Sequence, residues 1–154
     1  MPDEVPIAEP TNAVPIVPLA SPAPAPASER HRRGALALTI AAAAWFLPGL
    51  GHALLKMWGR ALVLFSTVAL LVILGAGMRG NIFSRYGEDA FAQLGYVADL
   101  GAGIFYFVAQ ALEPNGPDVS HANGDYGTRL LATAGVLNML AALHAYEVTR
   151  ARKA

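Results

Sequence analysis

Four stretches of this chain are apolar over lengths that a soluble fold has difficulty hiding: Ala35 to Leu55, Ala61 to Met78, Phe91 to Leu112 and Leu130 to Tyr146. A helix crossing the ~30 Å hydrocarbon core of a bilayer needs roughly 20 apolar residues, and about 17 at the least. All four stretches reach that length, the last one narrowly. The second, ALVLFSTVALLVILGAGM, carries no charge and is apolar around its whole circumference, whereas a helix at a water boundary keeps one polar face. The expected fold class is therefore all-α. The pattern predicts a polytopic membrane protein with four transmembrane helices, at about 35–55, 61–78, 91–112 and 130–146, joined as antiparallel hairpins.

Composition agrees with a lipid environment. Charged residues make up 14% of the chain, against roughly 25% in soluble globular proteins. Eleven Lys and Arg balance eleven Asp and Glu, so there is no basic field to attract nucleic acid, which is excluded as a partner. With no cysteine, disulfides, thiolate metal ligands and a cysteine nucleophile are excluded as well.

Residues 1–33 hold eight of the eleven prolines. Proline fixes φ and lacks an amide donor, so SPAPAPAS and its surroundings read as a disordered Pro/Ala-rich tail. The membrane domain is expected over 34–149, followed by a basic tail at 150–154. Arg30, Arg32 and Arg33 precede the first apolar run as the basic region of a secretory signal would. That run is long and lacks a clear small-x-small cleavage site before a soluble domain, so it reads as a retained anchor. With four spans, eight basic residues flank the side holding both termini and three (Lys56, Arg60 and Arg129) flank the other. The positive-inside rule then puts both termini in the cytoplasm.

The junction between the first two runs reads FLPGLGHALLKMWGR. Pro48 removes a helical amide, and Gly49 and Gly51 loosen the backbone, so this stretch is expected to be a tight hairpin turn closed by His52 at the outer bilayer surface. Lys56, Trp58 and Arg60 would be interface anchors, each with an apolar body and a polar tip. LPGLGH with its short basic turn resembles the hairpin of the two-transmembrane-helix domain family. More closely, the chain resembles a group of small bacterial four-helix membrane proteins of unknown function, through PGLGH at 48–52, NGDYGT at 123–128, and Ala134-Gly135, Asn138 and Ala145-Tyr146. This resemblance implies a multi-pass protein of the bacterial cytoplasmic (inner) membrane and implies no activity. Two departures stand out: Leu54-Leu55-Lys56 replaces an aromatic-Leu-Gly step, and His144 stands where an acidic residue is usual, with Glu147 as a neighbouring substitute.

Asp99 is the carboxylate inside the third run, and a charge in hydrocarbon seeks a partner across a helix interface. Asp99 and Asn138 each lie eight residues from an expected inner helix end, at Phe91 and Tyr146. Each is flanked by small residues at helical spacing, Gly95, Ala102 and Ala109 or Ala134, Ala141 and Ala145. The reading is a polar clasp between the third and fourth helices. As for metals, His52 and His121 are expected on the outer side and His144 on the inner, so no metal site is assigned, and no cofactor is implied. The expected role is a non-catalytic accessory or scaffold subunit that meets lipid and either a membrane-protein partner or copies of itself. The alternative is a small oligomeric transporter or channel using Asp99 as an ion or proton site. An intramembrane enzyme using His52 is the weakest reading.

Overall fold

A computed structural model describes residues 26–87, 89–112 and 116–151. The expected tail therefore lies mostly outside the described residues, as does most of the basic C-terminal segment. The described residues form six helices and no strand: α1 (Ala27–Phe46), α2 (Leu50–Leu54), α3 (Trp58–Gly77), α4 (Ala90–Leu100), α5 (Ile104–Leu112) and α6 (Ala122–Ala151).

The longest element is α6, whose 30 residues extend about 45 Å at ~1.5 Å per residue. Asp125 in its first turn and Arg150 in its last complement the helix dipole. The Asp125 end and the Arg150 end serve below as the two poles of the molecule. Along this axis α3 runs antiparallel. Arg60 at its start approaches His144 (3.5 Å), Val68 and Val72 pack with Leu131 and Ala134, and Gly75 lies against Gly127 near the other pole. These two helices alone are each long and apolar enough to cross a membrane among the described residues.

The first apolar run is not one span. Pro48 ends α1, and the chain folds back through the buried Gly49 (φ +82°) into the five-residue α2. The apolar part of α1, residues 34–46, is about 20 Å long and cannot cross a ~30 Å core. Its direction also differs from expectation. Trp45 meets Asn138, Ala44 packs with Ala142 and Ala145, and Ile40 and Val148 join the same cluster. Thus α1 enters from the Arg150 end and runs to the middle of α6. From there α2 returns, setting Gly51 against Ala44 and Ala145. Both α1 and α3 are consequently antiparallel to α6 and run the same way, so the expected membrane-crossing hairpin between the first two runs is replaced by a half-depth one. The helix also begins at Ala27, inside the segment expected to be tail.

The third run is broken too. Its two halves, α4 and α5, are bent by 107° across a short break where Gly103 has φ +63°. Asp89 caps α4, its carboxylate accepting from the Ala92 amide (2.6 Å), as N-terminal acids do. The approach is fixed at the Asp125 pole by Asn81, whose amide donates to Thr128 Oγ1 (2.7 Å). From there α4 climbs beside α6 until Gly101 reaches Gly135 and Met139. The return along α3 places Phe105 beside Phe65 and Ala109 beside Val68 and Val72. Beyond α5, Asp118 donates its amide to Arg79 O (3.0 Å), back at the Asp125 pole. Counting the bent pair as one broken span gives three candidates rather than the four expected.

The architecture is thus an antiparallel pair, α3 and α6, with two half-depth hairpins inserted from opposite poles. They meet at mid-height.

Candidate functional site

The meeting point is built from helix ends. An α-helix leaves its last four carbonyls without intrahelical partners, and where they are buried among apolar side chains they need protein donors. Asn138, fully buried and near the centre of α6, supplies what is missing. Its Nδ2 donates to Trp45 O of α1 (2.8 Å) and to Gly101 O at the end of α4 (2.9 Å). One side chain therefore ties both hairpins to the long helix, using both of its amide protons.

Close approach makes this geometry feasible. A Cβ on Gly103 would overlap the carbonyl oxygen of Trp45, and one on Gly135 would overlap that of Ala98. Gly101 would meet Gly135 O and the Met139 sulfur, both at 2.7 Å. Glycine is needed at 103 on two counts, because its positive φ is also one that L side chains avoid.

Asp99 is buried one residue-pair away from this junction, at 3% exposure. Its carboxylate Oδ2 accepts from the Phe83 amide (2.8 Å), and Oδ1 has no protein partner. Beside it is a void of about 10 Å³ bordered by Ala102, Tyr106 and Leu131, the room of a single water molecule. So the expected pair occupies one level of the bundle, but each member bonds elsewhere: Asn138 to two helix ends, Asp99 to the loop before α4. The shared level has a different origin from the residue count made from Phe91 and Tyr146, since α4 starts at the Asp125 pole while Tyr146 is near the other.

The turn residues Pro48, Gly49, Gly51 and His52 are all buried, and they lie in the bundle rather than at a surface. A Cβ on Gly49 would overlap the carbonyl of Ala61. His52 is 1% exposed and stacks on His144, ring centroids 5.4 Å apart and 16° from parallel. This corrects the expectation that His52 and His144 sit on opposite sides. Lys56, Trp58 and Arg60 are exposed and stand at the Arg150 pole, with Arg32 and Arg33 rather than across from them.

At the opposite pole a loop cluster surrounds Asp118. Ser120 Oγ donates to Asp118 Oδ1 (2.6 Å), His121 Nδ1 lies 3.0 Å from the same oxygen, and Arg79 Nη1 donates to Oδ2 (3.3 Å). These partners, the Ser120 hydroxyl first, hold the Asp118 carboxyl below its ordinary range. No group of three or more metal-ligating side chains occurs among the described residues.

Three features escaped sequence reasoning: the acceptors at Trp45 and Gly101, the break at 101–103, and the His52–His144 stack. The Gly101-Ala102-Gly103 triplet was the available signal for the break. It reads equally well as a packing motif.

The model of a family of unknown function (DUF6677) matches residues 39–154. No curated protein and no solved structure matches the chain.

Proposed function

Because the chain belongs to the DUF6677 family, whose function is unknown, we propose a role from its geometry: a non-catalytic, membrane-embedded subunit that associates with another membrane protein or with itself. The carrying observation is that two of the three buried polar side chains among the described residues hold the fold together. Asn138 spends both protons on helix ends, and Asp99 holds the Phe83 loop. The outer surface is strongly apolar, with Leu62, Leu70 and Ile73 on α3 and Leu140 and Leu143 on α6 more than half exposed, as suits helices facing lipid or other helices.

In this reading the Arg150 pole faces the cytoplasm of a bacterial inner membrane, and both termini lie there. Arg32, Arg33, Lys56, Arg60 and Arg150 belong to that pole, against Arg79, Arg85 and Arg129 at the other, which is the bias the positive-inside rule associates with the cytoplasmic face. Proteoliposomes test the role. An assembly subunit leaves proton, sodium and potassium leak at the level of empty vesicles, for the native protein and for Asp99→Asn alike. Purification in mild detergent should also return a stoichiometric complex or a homo-oligomer. Recovery as a lone monomer contradicts the reading.

A second role, an ion or proton site at Asp99, is favoured by one observation: Oδ1 is buried, unpartnered and beside a water-sized void. A cation leak that disappears in Asp99→Asn would establish it over the first.

A further inference from the structure

We propose that the groove between the starts of α3 and the end of α6 binds one anionic phospholipid, its phosphate on Arg60 and His144 and an acyl chain between the helices. The groove encloses about 480 Å³, within the range of ligand sites. Its polar end is formed by Arg60, His144 and His52; the rest is apolar, including Val63, Leu64 and Leu137. The inference rests on the membrane placement given above.

Charge complementarity identifies the head. One fixed cation stands at this end, the Arg60 guanidinium 3.5 Å from His144 Nε2, beside the stacked rings of His52 and His144. No Asp or Glu lines the groove, and Arg60 forms no ion pair among the described residues. Its contact with His144 is at the outer limit of a hydrogen bond. A guanidinium without a counter-charge is stabilised by an anion, and its fork matches phosphate oxygens bidentately. Depth identifies the tail. Arg60 is in the first turn of α3 and His144 two turns from the end of α6, which is headgroup level if α6 spans the bilayer. From there to Leu137 the groove descends about 10 Å toward mid-height at ~1.5 Å per residue. A free anion would use only the polar end; a phospholipid uses both.

The test uses the full chain released from mixed-lipid nanodiscs and observed by native mass spectrometry. Discs of equal phosphatidylglycerol and phosphatidylcholine should yield one retained phosphatidylglycerol per chain, favoured about tenfold, the effect of a charge-assisted contact. Arg60→Gln and His144→Gln should each remove most of that preference. Val63→Trp, on an exposed position of α3, leaves the cations in place and fills the channel, and should lower retention of both lipids. Equal retention of the two lipids by the native chain overturns the proposal, as does a preference unchanged in Arg60→Gln. Displacement of phosphatidylglycerol by millimolar inorganic phosphate would make the site an anion site and overturn the lipid assignment. Failure of the chain to enter nanodiscs at all would instead strike the membrane placement, so the two failures are separable.

Discussion

The two half-depth hairpins reach the same point by different chemistry. The first turns at proline: Pro48 cannot donate to α1, and Gly49 supplies the positive φ that reverses the chain. It is then held by an apolar cluster of Ala44, Leu55, Ala142 and Ala145. The second turns at glycine, through 101–103, and is held by close backbone approach and by the Asp99 bond to the Phe83 amide. Both hairpins need close approach at a glycine, Gly49 or Gly103, but an apolar cluster holds the first and a polar bond holds the second. The lesson is that each break turns on a glycine at positive φ, and the two differ in what holds the arms on either side.

The largest expected effect follows directly. Gly103→Ala puts a methyl into the Trp45 carbonyl at a positive φ and should cost at least about 3 kcal/mol, read as loss of the cooperative melting transition in detergent. Gly59→Ala, where nothing lies within 4 Å, should shift it by less than about 0.5 kcal/mol. Equal behaviour of the two would break the contrast between close approach and open space.

Next comes the residue that both hairpins share. Asn138→Leu leaves Trp45 O and Gly101 O without their donor and should cost about 2–4 kcal/mol, at roughly 1–2 per interhelical bond. Limited proteolysis should then expose both hairpins together. Loosening of only one would show that the lock is not common to them.

Asp99 sharpens the comparison because it belongs to the second hairpin alone. Asp99→Asn keeps an oxygen for the Phe83 amide and should change stability by less than about 1 kcal/mol, whereas Asp99→Ala strips the bond and should cost about 1–3 kcal/mol. Both changes should leave α1–α2 protected in hydrogen exchange. A similar loss in the two variants would mean that the carboxylate's charge, rather than its hydrogen bond, is what the loop requires.

How much of this was readable beforehand divides along the same line. Helix content, α3 and the core of α6 followed from apolar length. The break at Pro48 was legible because proline has one physical meaning inside an apolar run, yet its consequence was misjudged: a break near a run's end suggests a surface turn, and only packing on α6 shows that the chain doubles back halfway. Gly101-Ala102-Gly103 carried no such mark, since small residues serve both tight packing and bending. Asn138 and Asp99 stood out as polar groups inside apolar runs. Their partners did not, because backbone carbonyls and amides at helix ends have no sequence signature.

The smallest effect lies outside the bundle. The Asp118 carboxyl is held below its ordinary range by Ser120, His121 and Arg79, so its folded pKa is lower than its unfolded value near roughly 3.9. Its contribution to stability is present above that value and is lost as pH falls through the folded one. A slight drop in melting temperature on acidification below about pH 4 should be absent in Asp118→Asn, with the hairpins unaffected.

The central claim is one of direction: α1 and α3 both run antiparallel to α6, so the start of α3 lies at the same pole of the molecule as the end of α6. Because the chain has no native cysteine, single cysteines at Trp58, Arg150, Tyr86 and His121 can be labelled in sealed, oriented vesicles with a membrane-impermeant maleimide. Positions 58 and 150 should react from one face and positions 86 and 121 from the other. Labelling of 58 and 150 from opposite faces would contradict the account.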